Sequence, residues 1–178
     1  LYNSFMNENN TLNPFIKFFY KIILFAYLKL YRLIHSSRSY SIFHQLSQCG
    51  MNTIIDDGVI ANRPENITIG SRVFIGKRVI LDAYGKITIG DDCSIAADCK
   101  IISGNHNFED INIPINKQDY KISEVLIGDN VWLGFNVLIM PGVNIGSGSI
   151  VGAGSIVTKS FPKNSIIAGN PASLLKKR

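Results

Sequence analysis

A six-residue period runs through residues 125–157 of this chain. A large aliphatic residue occupies every sixth position, and a smaller residue stands two positions before each of them. The aliphatic positions are Ile127, Leu133, Ile139, Ile145, Val151 and Val157. Neither the helical period nor simple strand alternation gives a strict six. A hexapeptide period is typical of a parallel β-helix, in which each hexapeptide forms one side of a triangular coil and the coils stack on one another.

The same period extends upstream to about Asn52, with bulges at residues 63–66 and 83–86. Three hexapeptides per coil predict about five coils. Cys93 and Cys99 fall at small inward positions, where we expect them to fill the core. The predicted large inward positions in this part are Ile55, Ala61, Ile69, Ile75, Leu81, Ile89, Ile95 and Ile101.

Residues 103–124 interrupt the repeat. Loops of this length inside a regular domain are usually functional or disordered. This one contains His106, the only histidine in the repeat region. A neutral imidazole suits the removal of a proton from an attacking hydroxyl near pH 7, so His106 is a candidate general base.

Residues 1–50 precede the repeats and form a predicted N-terminal helical appendage. Asn13-Pro14 is a helix-start signal, and residues 15–34 form a predicted amphipathic helix with its Lys and Arg residues on one face. A second short helix is expected near residues 40–48. The uncharged run in the first helix is too short to cross a bilayer. Two partners for its apolar face remain open: protein, either the β-helix or a sister subunit, or an anionic membrane surface.

Composition narrows the function classes. The chain has 46% hydrophobic and 17% charged residues, as expected for a folded domain. Its net charge of +5 comes from basic ends around a mildly acidic body. There is no module of basic and interleaved aromatic residues, so nucleic acid is not an expected partner. Three cysteines do not make a disulfide framework and no signal-peptide pattern is present, so a cytoplasmic location is expected, with membrane contact at the inner face if the helix binds lipid.

Five motifs in order resemble the hexapeptide-repeat acyltransferases, most closely their sugar O-acetyltransferase branch. They lie at residues 104–110, 114–118, 127–134, 152–159 and 168–172. The resemblance implies a left-handed parallel β-helix over residues 51–160, carrying the loop at residues 103–124. In the extension at residues 161–178, Pro171-Ala172 is the expected start of a short C-terminal helix.

The resemblance also implies roles for individual residues. His106 matches the family's general base, and the backbone N–H of Phe135 matches its oxyanion donor. Trp132, Asn105 and Asp82 are expected in the same oxyanion and acceptor pocket. The group that orients the imidazole stays open among a backbone carbonyl and four carboxylates, those of Asp82, Asp98, Glu109 and Asp110.

Acetyl-CoA is the implied acyl donor. The residues expected to contact it are Gly134, Gly152, Ala153, Thr158, Lys159 and Lys176. No metal site is expected, because the carbonic anhydrases that share this fold need several histidines and the repeats contain one. The resemblance further implies a homotrimer with the site between subunits.

The predicted function is acetylation of a sugar hydroxyl in the synthesis of a bacterial surface polysaccharide, such as O-antigen or capsule. The acceptor is expected to be a sugar or a lipid-linked sugar. A simple galactoside or maltose is disfavoured, because Ile75 aligns with an asparagine that binds such acceptors in the family. Two alternatives are N-acetylation of a nucleotide-linked amino sugar and a non-catalytic β-helix scaffold.

Overall fold

A computed structural model describes the chain from Pro14 to Arg178 and divides it into two compact units that meet between Arg38 and Ser39. Helix α1 (Pro14–Gln45) begins at the predicted proline. The second short helix expected near residues 40–48 is not separate: residues 40–45 are the last part of α1, because no helix breaker stands between Ser36 and Gln45, and Gln48 already belongs to a strand. The proposed cap, Asn13, lies outside the described residues.

Short strands, all parallel except the last strand of side B, form the three sides of the β-helix. Side A consists of β1 (Gln48–Cys49), β4 (Ile67–Ile69), β7 (Ile87–Ile89), β12 (Val125–Ile127) and β15 (Asn144–Ile145). Side B consists of β2 (Ile54–Ile55), β5 (Phe74–Ile75), β8 (Ser94–Ile95), β13 (Trp132–Leu133), β16 (Ile150–Val151), β18 (Ser165–Gly169) and β19 (Ala172–Lys177). Side C consists of β3 (Ile60–Asn62), β6 (Ile80–Asp82), β9 (Lys100–Ile102), β14 (Leu138–Ile139) and β17 (Ile156–Val157).

The chain passes through sides A, B and C in turn, and sides A and C each hold five strands, so there are five complete coils, as predicted. We name the corners by the sides that they join. The interior contains the predicted aliphatic ladder, and Ile75, Ile101, Ile127 and Ile139 are fully buried. Cys93 and Cys99 are buried among them, as predicted.

The corners require backbone with positive φ. Glycine tolerates this conformation because it has no Cβ, and Asn and Asp tolerate it better than most other residues. Gly154, Asn130 and Asp98 follow this preference, with φ of 70°, 53° and 62°. Arg72 and Arg78 also have positive φ, 57° each, although arginine rarely adopts this conformation. The guanidinium group of each binds an aspartate on the next coil.

The loop at residues 103–124 leaves the C–A corner between the third and fourth coils. Its two ends pair as an antiparallel hairpin of β10 (Gly104–His106) and β11 (Tyr120–Ile122), and a 3-10 turn (Ile115–Lys117) lies between them.

The predicted C-terminal helix is wrong. Residues 172–177 form β19, which pairs antiparallel with β18. Pro171 therefore lies in a hairpin turn and not at a helix start. The strand covers the backbone edge of β18, which would otherwise be the free end of side B.

Candidate functional site

The base of the β10–β11 hairpin is held tightly at the C–A corner. The buried hydroxyl of Ser103 lies 2.7 Å from the carbonyl oxygen of Gly85 and accepts a hydrogen bond of 2.9 Å from the Gly85 N–H. The backbone N–H of Ser123 donates to the Ser103 carbonyl at 2.9 Å. A Cβ on Gly104 would lie 2.5 Å from the Cβ of Tyr84, so only glycine allows this approach. The hairpin is thus fixed where it meets the coils.

His106 is the last residue of β10, and its side chain is exposed. Its backbone N–H donates to the Oδ1 of Asn105 at 3.0 Å. Directly across the hairpin lies Tyr120, whose ring centroid is 4.5 Å from that of the imidazole. The Tyr120 hydroxyl lies 3.4 Å from Nε2 of His106.

The four carboxylates considered for orienting His106 are engaged elsewhere. Asp82 pairs with Arg63 at 3.6 Å, Asp98 with Arg78 at 2.7 Å, Glu109 with Lys121 at 2.9 Å, and Asp110 accepts from the Asn112 N–H at 2.9 Å. The hydrogen bond from Lys121, with its charge, lowers the pKa of Glu109. Sequence reasoning missed Tyr120 as the neighbour of the imidazole. The signal that could have found it is the pairing of the two ends of the loop as a hairpin.

A groove of about 250 Å³ lies below the hairpin at the C–A corner. Its walls bring together two of the predicted residues, Asn105 and Thr158. Lys159 follows Thr158, and its Nζ lies 5.8 Å from the ring centroid of Phe161. The remaining lining residues are Lys121, Ser123, Met140 and Pro141.

A second group of predicted residues lies at the B–C corner. Gly134 is buried, and a Cβ there would lie 2.7 Å from the Ala153 nitrogen of the next coil. Beside them, a Cβ on Gly154 would meet nothing within 4 Å, so the corner presents a bare wall. The carbonyl of Phe135 accepts from the Gly154 N–H at 2.8 Å. Among residues 14–178, none accepts a hydrogen bond from the Phe135 N–H, which suits an oxyanion donor.

Trp132 and Lys176 both belong to side B. Trp132 points outward, is 53% exposed, and lies in register with Ser94 and Ile150. Lys176 is exposed on β19, opposite Ile166.

One chain does not bring all the predicted residues together. Asp82, Asn105, His106, Thr158 and Lys159 belong to the C–A corner, whereas Gly134, Phe135, Gly152 and Ala153 belong to the B–C corner. The full width of side C separates the two corners, and at about 3.3 Å per residue a side spans roughly 10 Å or more.

The structure does not place Ile75 at a ligand site. Its side chain is fully buried in the core, so this position faces away from any acceptor. Its outward neighbour is Phe74, which is 41% exposed. Ile75 therefore gives no reason to disfavour a galactoside or maltose acceptor.

Comparisons with known proteins agree with this architecture. Residues 124–159 match the family "Bacterial transferase hexapeptide (six repeats)", and residues 66–101 match "Hexapeptide repeat of succinyl-transferase". The chain is 34% identical to the "Putative colanic acid biosynthesis acetyltransferase WcaF" of Escherichia coli, over 74% of this chain and 70% of that protein. It is 41% identical to the polysialic acid O-acetyltransferase of Escherichia coli O1:K1, over 71% of this chain and 41% of that protein.

Solved structures give the same result. A maltose O-acetyltransferase from Clostridium difficile superposes with a TM-score of 0.74 at 32% identity, covering 84% of this chain and 82% of its own. A galactoside acetyltransferase in complex with coenzyme A superposes with a TM-score of 0.73 at 29% identity, and the match covers 80% of this chain and 70% of that one.

Proposed function

Because this chain belongs to the hexapeptide-repeat acetyltransferases, with their left-handed parallel β-helix, we propose that it transfers the acetyl group of acetyl-CoA to a sugar hydroxyl, with His106 as general base. One observation carries the proposal: the β10–β11 hairpin, fixed at the C–A corner, holds the exposed imidazole of His106 against Tyr120, and the adjacent residue Asn105 lines the groove together with Thr158. The galactoside acetyltransferase structure with coenzyme A supports the choice of donor.

The proposed chemistry uses few protein groups. His106 takes the proton of the acceptor hydroxyl as that oxygen forms a bond to the thioester carbonyl carbon. The backbone N–H of Phe135 donates to the negative charge that develops on the carbonyl oxygen. When the carbon–sulfur bond breaks, the imidazolium returns its proton to the departing thiolate. Acetyl-CoA supplies the activated acetyl group, and the bare wall at Ala153 and Gly154 leaves room for its pantetheine arm.

We propose that the active enzyme is a homotrimer in which each site joins the C–A corner of one subunit to the B–C corner of the next. The separation of the two residue groups within one chain supports this arrangement, since His106 and Phe135 belong to different corners. Three-fold symmetry allows every subunit to use both corners at once and leaves no site incomplete.

For the acceptor we propose a sugar of a bacterial surface polysaccharide, free or lipid-linked. The names of the two relatives, which refer to colanic acid and polysialic acid, support this class of acceptor.

We also propose that α1 contacts an anionic membrane surface, at the inner face of the cytoplasmic membrane. Among the described residues, no helix is both long and apolar enough to cross a bilayer. Between Phe15 and Leu30, however, eleven large apolar or aromatic side chains are exposed. Residues 9–55 contain five Lys or Arg and no Asp or Glu, a charge that complements anionic headgroups. Co-sedimentation with vesicles containing phosphatidylglycerol tests this contact. Binding by the wild type that is lost in a chain lacking residues 1–36 supports it, whereas failure of both proteins to bind overturns it.

Release of free CoA from acetyl-CoA, followed with a panel of hydroxyl and amino sugars, tests the function. We expect turnover with hydroxyl sugars and a rate about 10²- to 10⁴-fold lower for His106→Ala. His44→Ala is the matched control, because His44 lies on α1 outside the repeats. Turnover with amino sugars alone would instead establish the N-acetyltransferase. If the protein neither binds CoA nor turns over any acceptor, the result would support the alternative of a non-catalytic β-helix scaffold.

A further inference from the structure

Four planar groups form a continuous row from the first coils to His106. The guanidinium carbon of Arg63 lies 3.5 Å from the ring centroid of Tyr84, and the Tyr84 and Tyr120 rings are stacked at 4.3 Å with 16° between their planes. Tyr120 in turn contacts the imidazole of His106, with 4.5 Å between centroids and 35° between planes. The row joins two turns of the β-helix to the tip of β10.

The lower end of the row is anchored on the coils. Arg63 pairs with Asp82 at 3.6 Å, and Asp82 ends strand β6 on side C. Tyr84 is half-buried in the bulge that follows, where Gly104 lets the hairpin backbone pack directly against its ring. Because stacked rings resist sliding and tilting, the plane of Tyr120 is set by Tyr84 and not by the loop alone.

The upper end of the row acts on the imidazole in two ways. Tyr120 lies directly opposite His106 in the antiparallel pair, so the two side chains share one face of the hairpin. Its ring restricts the plane of the imidazole, and its hydroxyl oxygen lies 3.4 Å from Nε2, where it accepts a hydrogen bond from Nε2–H in the tautomer that leaves Nδ1 unprotonated. A general base needs the other nitrogen free and aimed at the acceptor.

We propose that Tyr120 is the positioning residue of the general base, held in place by Tyr84 and Arg63. This inference rests on the proposed role of His106. In this role Tyr120 acts through His106 and not on the donor or the acceptor. It fixes the ring plane of His106 and binds one imidazole nitrogen, so that the other is left for the acceptor hydroxyl.

The charged groups around the row are compatible with this role. Arg63 and Asp82 lie at its lower end, while Lys121 and Glu109 form their own ion pair on the hairpin at 2.9 Å. The hydrogen bond with Tyr84, followed by burial, raises the pKa of Tyr120. Its hydroxyl therefore keeps its proton at neutral pH and is a neutral partner for the imidazole.

Two substitutions separate the contribution of the Tyr120 ring to kcat from that of its hydroxyl. Tyr120→Phe keeps the stack and removes the hydroxyl, and we expect kcat to fall roughly two- to tenfold, the worth of one neutral hydrogen bond. Tyr120→Leu removes both, and we expect kcat to fall about 10- to 100-fold, as for a misplaced reacting group, with the KM for acetyl-CoA unchanged. Met51→Ala, which removes a 79% exposed side chain at the A–B corner of the first coil, is the control and should leave both constants unchanged.

A readout that does not depend on turnover completes the test. The NMR resonance of the Cε1–H of His106, assigned with His106→Ala, should change its chemical shift at a fixed pH in both Tyr120 variants. The resonance of His44 should not move. Melting temperatures show whether each variant folds. If Tyr120→Leu does not fold, Tyr120→Phe, which preserves the packing of the ring, is sufficient for the test.

The outcomes distinguish the two proposals. If His106→Ala retains the full rate, the proposed function fails. If His106→Ala is inactive while the Tyr120 variants keep kcat, only the positioning role is overturned. A fall in kcat with an unchanged His106 resonance also overturns it, since the loss would then be structural.

Discussion

Arg78 reaches from the second coil to Asp98 on the third, and its Nε and Nη2 each lie 2.7 Å from one carboxylate oxygen. Arg72 binds Asp92 in the same way at the A–B corner, at 2.6 and 2.8 Å. Each pair links residues 20 positions apart along the chain, both with positive φ. The pairs thus connect successive coils at corners where arginine is an unusual choice.

These pairs predict how stability depends on pH. The hydrogen bond to Arg78, with its charge, lowers the pKa of Asp98 in the folded protein. A lowered pKa means that the contribution to stability is present above the unfolded-state value of about 3.9 and is lost as the pH falls through the folded value. Asp98→Asn, which tolerates the same backbone, should therefore lower the melting temperature at pH 6, and by progressively less as the pH falls below about 3.9. The pair is exposed, so the effect should be small and should shrink in high salt. A melting-temperature difference that is constant with pH would contradict the prediction.

The close approach of coils at the B–C corner predicts different costs for two glycine substitutions. Gly134→Ala places a methyl group 2.7 Å from the Ala153 nitrogen and 2.9 Å from the Val151 oxygen, both backbone atoms that cannot move aside. We expect a loss of about 2–3 kcal/mol in the free energy of unfolding. The methyl group of Gly154→Ala points into open space. The only cost is that of a non-glycine residue at a φ of 70°, about 1 kcal/mol in the free energy of unfolding. Urea unfolding of both variants measures the difference, and equal losses would show that the coil contact does not limit this position.

The ladder of the β-helix was predictable because its period is a direct consequence of the geometry. Residues such as Ile127 and Ile139 must face inward if six residues make one side, and both are fully buried. The same period places Ala61 inward, but it is only partly buried, because its strand β3 is the outermost strand of side C in the described part of the chain. Periodicity identifies the interior, but it does not say how well each end of the stack is covered.

The parts that broke the period were harder to predict. The sequence singled out His106, but its neighbour Tyr120 lies fourteen positions away and becomes adjacent only through the register of the hairpin. Pro171 was consistent with a helix start, but pairing with β18 outweighed the local signal. To predict which site residues share a corner, each hexapeptide must be assigned to side A, B or C, and the bulges shift that assignment. Local motifs do not contain this information.

Burial of the cysteine thiols predicts their chemical reactivity. Burial raises the pKa of Cys93 to about 11, and it also raises the pKa of Cys99, so neither forms a reactive thiolate near neutral pH. Cys49 is only partly buried. We expect a disulfide reagent such as DTNB to modify at most Cys49 in the native protein, and all three cysteines after denaturation. Cys49→Ser should then be unreactive when folded. Rapid labelling of that variant would show that the core opens easily.

The division of the site between two corners predicts that two inactive variants can restore each other. His106→Ala removes the base at the C–A corner, whereas Ala153→Trp fills the bare wall at the B–C corner, where the side chain is exposed. Each variant alone should have little activity. In trimers assembled from equal amounts of both, a site is intact when the Ala153→Trp subunit supplies His106 and the His106→Ala subunit supplies the wall. With random assembly this applies to about a quarter of the sites. Co-refolding of the two proteins, followed by CoA release, should therefore give about a quarter of the wild-type rate, while each protein refolded alone is the control. No recovery in mixed trimers would mean that both corners act within one chain.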